Sequence, residues 1–162
     1  MKRIVALLLL VAGLLPLSLA QAQPPRPVPY WASIASGRAM MRTGPGQTYP
    51  GTWLYVRPDL PIQVLEIYHD WRKVRDPEGT TGWMLVRLLS DQRTAMIRHG
   101  AGAQPLHEAP DAASPVRFRA EPGVVGRISR CTAGWCLFDV HGRGGYVRAE
   151  MIWGVDRNET VR

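Results

Sequence analysis

Trp71-Arg72-Lys73-Val74-Arg75-Asp76-Pro77-Glu78-Gly79-Thr80-Thr81-Gly82-Trp83-Met84 decides the fold. Two short apolar runs flank Asp-Pro-Glu-Gly, where proline fixes one backbone angle and glycine frees another, so the chain must turn back on itself. Neither run is long enough for a helix, and residues that alternate along it give one buried and one exposed face of a sheet. Outward from this hairpin the pattern continues. His69-Asp70 makes a tight turn after the run Ile62 to Ile67, and Trp83 to Leu89 follows on the other side. Upstream, Arg42-Thr43-Gly44-Pro45-Gly46 predicts a long arched loop, and Trp53 to Val56 a further strand.

The second half repeats this plan. Trp135-Cys136-Leu137-Phe138-Asp139 matches Trp71 to Arg75, and Gly145-Tyr146-Val147 matches Gly82-Trp83-Met84 with one residue fewer in the turn. Val56 to Pro61 corresponds loosely to Phe118 to Gly123. A repeat of about 65 residues is close to a minimal domain and longer than solenoid periods, so two small barrels of about five strands each are expected rather than one array. The fold class is all-β.

The first residues are of another kind. Lys2 and Arg3 precede an apolar run from Ile4 to Leu15, then Pro16 and Ala20-Gln21-Ala22, as in a signal peptide cleaved after Ala22. Gly13 and Pro16 interrupt that run below the roughly 20 residues that span a bilayer. The expected organisation is a signal peptide over 1–22, a Pro-rich leader over 23–29, a first domain over 30–96 and a second over 97–162, with no membrane segment after cleavage. The chain has 20 basic and 13 acidic residues. Without Lys2 and Arg3 this leaves 18 against 13, or +5, and only Lys73 among the remaining cations is lysine. No basic helix or clustered run offers a nucleic-acid surface. An exported chain meets oxidising conditions, so Cys131 and Cys136, flanking Thr132 to Trp135 in a four-residue hairpin loop, are expected to form a disulfide.

Catalytic patterns are missing. There is no Gly-x-Ser-x-Gly, the carboxylates lie mostly in turns, and neither cysteine has the setting of a nucleophile. Cys131, Cys136 and His141 lack a fourth ligand and a common zinc spacing, so neither metal nor cofactor is expected.

Met41-Arg42-Thr43-Gly44-Pro45, Trp71-Arg72-Lys73-Val74 and Gly82-Trp83-Met84, in this order and spacing, resemble the signatures of bacterial SH3-like domains over Ser36 to Leu89. Trp135-Cys136-Leu137-Phe138 and Gly145-Tyr146-Val147 keep the pattern, while His107-Glu108-Ala109-Pro110 replaces the Arg-x-Gly-Pro element. The resemblance implies tandem SH3-like β-barrels that bind peptidoglycan or peptides rather than catalyse, in the periplasm or secreted. Tyr and Trp can stack on sugars or pack on peptide side chains, and Arg pairs well with carboxylates. The expected ligand groove therefore uses Arg42, Tyr49, Trp53, Tyr55 and Trp83. In the plainer alternative, Trp71 and Trp83 close the core and Arg42 caps a turn. The expected partner is peptidoglycan or an envelope protein.

Overall fold

The computed structural model describes residues 26–100 and 102–161. The expected signal peptide and the leader residues 23–25 lie outside the described residues. The first barrel comprises β1 (Tyr30–Ile34), β2 (Ala39–Arg42), β3 (Gly51–Tyr55), β4 (Pro61–Tyr68), β5 (Trp71–Arg75), β6 (Thr81–Leu85) and β7 (Leu89–Ser90). The second comprises β8 (Thr94–Ile97), β9 (Gln104–His107), β10 (Val116–Ala120), β11 (Val125–Thr132), β12 (Trp135–Val140), β13 (Arg143–Arg148) and β14 (Ile152–Trp153). A 3-10 turn, Val86–Leu88 or Ala149–Met151, precedes the last strand of each. The chain is all-β, in two seven-stranded sheets of orders β3-β2-β6-β5-β4-β1-β7 and β10-β9-β13-β12-β11-β8-β14. The strands number seven per barrel rather than five, because both arms of the arched loop pair and a two-residue strand closes each sheet.

The glycine of each Gly-aromatic motif has a steric cause. A Cβ on Gly82 would stand 2.4 Å from Met41 Cγ and 2.9 Å from the Arg42 carbonyl, and one on Gly145 would stand 2.8 Å from Leu106 Cβ and 3.0 Å from the His107 carbonyl. Each lets the second strand of its barrel cross the sixth at contact distance. Inside the first barrel lie Ile34, Met41, Ile62, Val64, Val74 and Met84; inside the second, Ile97, Leu106, Ile128, Phe138, Val147 and Ile152.

The hairpin turns set the register. Trp71 pairs with Leu85 and Val74 with Gly82, as Trp135 pairs with Arg148 and Phe138 with Gly145. Ala133 and Gly134 both have positive φ, +50° and +77°, and Thr132 pairs with Trp135. The loop between the cysteines is therefore a two-residue type I′ turn, matched to strand twist, rather than a four-residue loop. Cys131 and Cys136 are direct cross-strand partners and are disulfide-bonded. The loose match of Val56 with Phe118 shifts by three residues: Met41 faces Trp53 and Leu106 faces Phe118, so Phe118 stands where Trp53 does.

The two barrels are packed together. In β1 and β8 almost every residue is buried, on both strand faces. Ala32 and Ile34 enter the first core, and Ala95 and Ile97 the second. The opposite faces meet across the junction: Trp31 packs edge-on against Trp153 with ring centroids 4.7 Å apart, and Met96 and Val125 join the core cluster of the first barrel. β8 lies wholly in the second sheet, so the division expected after residue 96 would cut a strand; the chain leaves one sheet at Ser90 and enters the other at Thr94. Strand pairing explains this, because β8 hydrogen-bonds to β11 as β1 does to β4. The linker is braced. The Arg93 guanidinium pairs bidentately with Glu159 and donates to the Gly154 carbonyl. Burial pushes the Glu159 carboxyl up, but hydrogen bonds from Arg93 and the Asp156 N–H, with the charges of Arg93 and Arg26, hold it below the usual range.

Candidate functional site

Strand β2 alternates. Ala39 and Met41 point into the core and are fully buried, which turns Met40, Arg42 and, just before the strand, Arg38 to the outer face. There a cavity of about 260 Å³ opens, floored by Met40, Leu54, Trp71 and Leu85 and bordered by Arg38, Arg42 and Arg87. Leu54 comes from β3 as the cross-strand partner of Met40, Trp71 and Leu85 face each other on β5 and β6, and Arg87 comes from the 3-10 turn. The result is an apolar trough with a cationic rim. An apolar chain carrying a carboxylate fits such a surface, because guanidinium forks bind carboxylates with two parallel hydrogen bonds.

The expected site residues separate. Arg42 borders the trough and lies opposite Trp83 on β6, but its Nη1 donates to the Tyr49 carbonyl at 2.7 Å and holds the arched loop. Tyr49 packs its ring over Gly44, whose Cβ would stand 2.4 Å from Cδ1; the tyrosine wedges the loop open and remains partly exposed. Trp53 is 60% exposed on the edge strand β3. Trp83 is half-buried and meets Tyr68 edge-on, 6.5 Å between centroids. Tyr55 is 6% exposed and belongs to the core, not to a groove. Its hydroxyl donates to the buried Asp76 carboxylate at 2.7 Å, and Asp76 also accepts the Thr80 N–H at 2.7 Å. Burial first, then Asp76, drives the Tyr55 phenol far above its ordinary range. This network locks the turn between β5 and β6 to the end of β3.

Sequence reasoning missed Arg38, Met40, Leu54, Leu85 and Arg87, and gave Trp71 only a place in the core. The period of two through Arg38, Met40 and Arg42 was the available signal, since outward residues on one strand share a face. Arg87 had none, because its placement depends on the 3-10 turn.

The second barrel repeats the frame with different side chains. His107 stands in the place of Arg42: it pairs in register with Tyr146 as Arg42 does with Trp83, and its Nδ1 donates to the Ser114 carbonyl at 2.8 Å. The arched loops are closed alike, by Thr43 N–H to Pro50 carbonyl and Glu108 N–H to Pro115 carbonyl. Trp135, the counterpart of Trp71, is covered by the Arg148 guanidinium 4.2 Å above its ring and by the His107 ring edge-on at 5.5 Å.

The family model described as bacterial SH3 domain matches twice, over residues 35–91 and 100–154. The chain belongs to the bacterial SH3 domain family. Each matched segment of this bacterial SH3 pair covers its barrel from the second strand onward and includes its Trp and Gly-aromatic motifs. Among solved structures the chain is similar to NlpC1 from Trichomonas vaginalis (11% identity, TM-score 0.36, covering 86% of this chain and 50% of that one). It is similar to NlpC2 from Trichomonas vaginalis (12% identity, TM-score 0.35, 80% and 51% covered). It is also similar to an NlpC/P60 family protein from Bacillus cereus (12% identity, TM-score 0.34, 76% and 55% covered). The chain spans about half the length of each. No curated protein matches. Among the described residues of the bacterial SH3 pair no group of three or more His, Cys, Asp or Glu is placed to hold a metal ion, and no helix is long and apolar enough to cross a membrane.

Proposed function

We propose that this chain is a non-enzymatic binding protein of the bacterial envelope, exported to the periplasm or beyond, whose first barrel receives a peptidoglycan stem peptide. The trough on the outer face of β2 is the observation that carries this reading. A stem peptide combines small apolar side chains with carboxylates, and the trough combines an apolar floor with cations. Arg38 and Arg87 make no side-chain hydrogen bond to the described residues, so their guanidinium groups are available to a ligand carboxylate, while Arg42 shapes the loop behind them. Tyr68 and Trp83, set edge to face beside Arg42 on the same sheet, offer a ring surface for the adjoining sugar. The Cys131–Cys136 disulfide supports a location outside the cytoplasm, since such bonds persist in oxidising compartments.

A second reading is an adaptor that captures an extended segment of a protein. It is favoured by the free edge of β3, where Trp53 and Val56 are well exposed beside unpaired backbone.

Sedimentation of the purified, disulfide-bonded chain with sacculi tests the first against the second. Wild type should pellet, and the double variant Arg38→Ala, Arg87→Ala should bind about tenfold more weakly or worse, since hydrogen bonds to charged groups contribute about 1.5–3 kcal/mol. Trp53→Ala should pellet like wild type. Pelleting that follows Trp53 and ignores the arginines would move the site to the β3 edge, and no pelleting at all would leave the adaptor.

A further inference from the structure

Where the barrels meet, a second cavity of about 410 Å³ lies between Arg57, Pro58 and Asp59 of the first and Val125 to Arg127 and Asp139 to Gly142 of the second. This volume is in the range of small-molecule sites. Neither barrel forms it alone. Arg57 donates to the Gly123 carbonyl at 3.1 Å and so fixes the first wall against the second barrel. The other wall is held by the His141-Gly142 turn, whose Gly142 N–H donates to Asp139 Oδ1 at 3.0 Å.

The charges in this cleft are not spent on one another. Arg127 and Asp139 face each other across β11 and β12, yet no ion pair joins them, and the side chains of Arg127 and Asp59 make no hydrogen bond to the described residues. Both signs are therefore presented to one small space walled otherwise by Pro58, Val125, Gly126, Val140 and the His141-Gly142 turn. The two carboxylates would repel a polyanion such as nucleic acid or a polyphosphate. The two guanidiniums would repel a metal cation. A ligand carrying one anionic and one cationic end, with small apolar groups between, satisfies all of them.

We infer that the cleft between the barrels binds the free ends of a short zwitterionic peptide, its carboxylate on Arg127 and Arg57 and its ammonium on Asp59 and Asp139. This site is separate from the trough on β2 and does not depend on it. The test is titration of the isotopically labelled full chain with trialanine, followed by amide resonances, beside trialanine acetylated at its amino end and amidated at its carboxyl end. Free trialanine should give saturable shifts at Asp59, Arg127, His141 and Gly142, and the blocked form none. Arg127→Gln and Asp59→Asn should each weaken binding about tenfold, the loss of one charged contact. Asparagine tolerates the positive φ of +61° at residue 59, and an unchanged spectrum away from the cleft shows that either variant is folded. Arg38→Ala, Arg87→Ala should titrate as wild type. Absence of saturable shifts at these four residues, equal binding of the blocked peptide, or loss of the shifts in the double-arginine variant would each overturn the inference.

Discussion

In the first barrel an arginine at the end of the second strand holds the arched loop and an open trough lies above Trp71; in the second, a histidine holds the loop and Trp135 is roofed by Arg148 and His107. The backbones agree at every comparable pairing, down to the loop-closing hydrogen bonds. The roof over Trp135 comes from two exchanges, His107 where the first barrel has Arg42 and Arg148 where it has Leu85. The floor and rim differ too, with Pro105 and Arg119 paired where Met40 and Leu54 are, and Glu150 in the 3-10 turn where Arg87 is. The frame is set by glycines, turns and inward residues. Whether its outer face is open is set by side chains that the frame does not constrain. One copy of a duplicated domain can thus keep an open outer face while the other covers it.

Four perturbations probe this comparison. The largest effect is expected from Trp31→Ala. If the barrels are one cooperative body, losing the Trp31–Trp153 contact should cost about 3–5 kcal/mol and split a single calorimetric transition into two. Two transitions already present in wild type would show that the halves are independent. Tyr55→Phe should destabilise by about 1.5–3 kcal/mol and affect the first barrel alone, because it deprives the buried Asp76 carboxylate of a donor. The sign with pH follows: the folded phenol is held above its ordinary value of 10.0, so stability is constant below that pH and falls above it as the unfolded chain ionises. Denaturant titrations between pH 8 and 11 should show this fall in wild type and not in the phenylalanine variant. Reducing Cys131–Cys136 should cost about 2 kcal/mol on the chain-entropy model, detected as faster hydrogen exchange in β11 and β12 with β4 and β5 unchanged. Arg148→Ala removes a cation–π contact of about 0.5–1 kcal/mol and should uncover Trp135. Increased quenching of tryptophan fluorescence by acrylamide would register the opening; unchanged quenching would mean that His107 alone is the roof.

Much of the frame was legible from residues. Turns announce themselves through local chemistry, which is why His69-Asp70, the arched loop and the two Gly-aromatic strands lie where they were expected. The disulfide was legible for the same reason, since its partners are five residues apart. Strand β8 was not. Thr94-Ala95-Met96-Ile97 shows no alternation of polar and apolar residues because both of its faces are covered, one by its own core and one by the neighbouring barrel, so it read as the tail of the first domain. The site was legible only in part. Tyr55 looked like a groove aromatic, and nothing local could reveal that Asp76, far along the chain, would draw its hydroxyl inward. The trough needed Arg38 and Arg87, brought together by a sheet crossing and a 3-10 turn rather than by any motif.

The packing of one barrel on the other bears on how such a protein could be cut or recombined. Trp31 lies against Trp153 and Arg57 donates to the Gly123 carbonyl, so a protease that nicked the segment around Asp91 and Gln92 would leave two fragments still clasped together. Freed from its partner, either half would show water the tryptophan-lined flank of its first or last strand. These barrels are therefore poor candidates for shuffling one at a time, and the pair is the unit that can be transplanted.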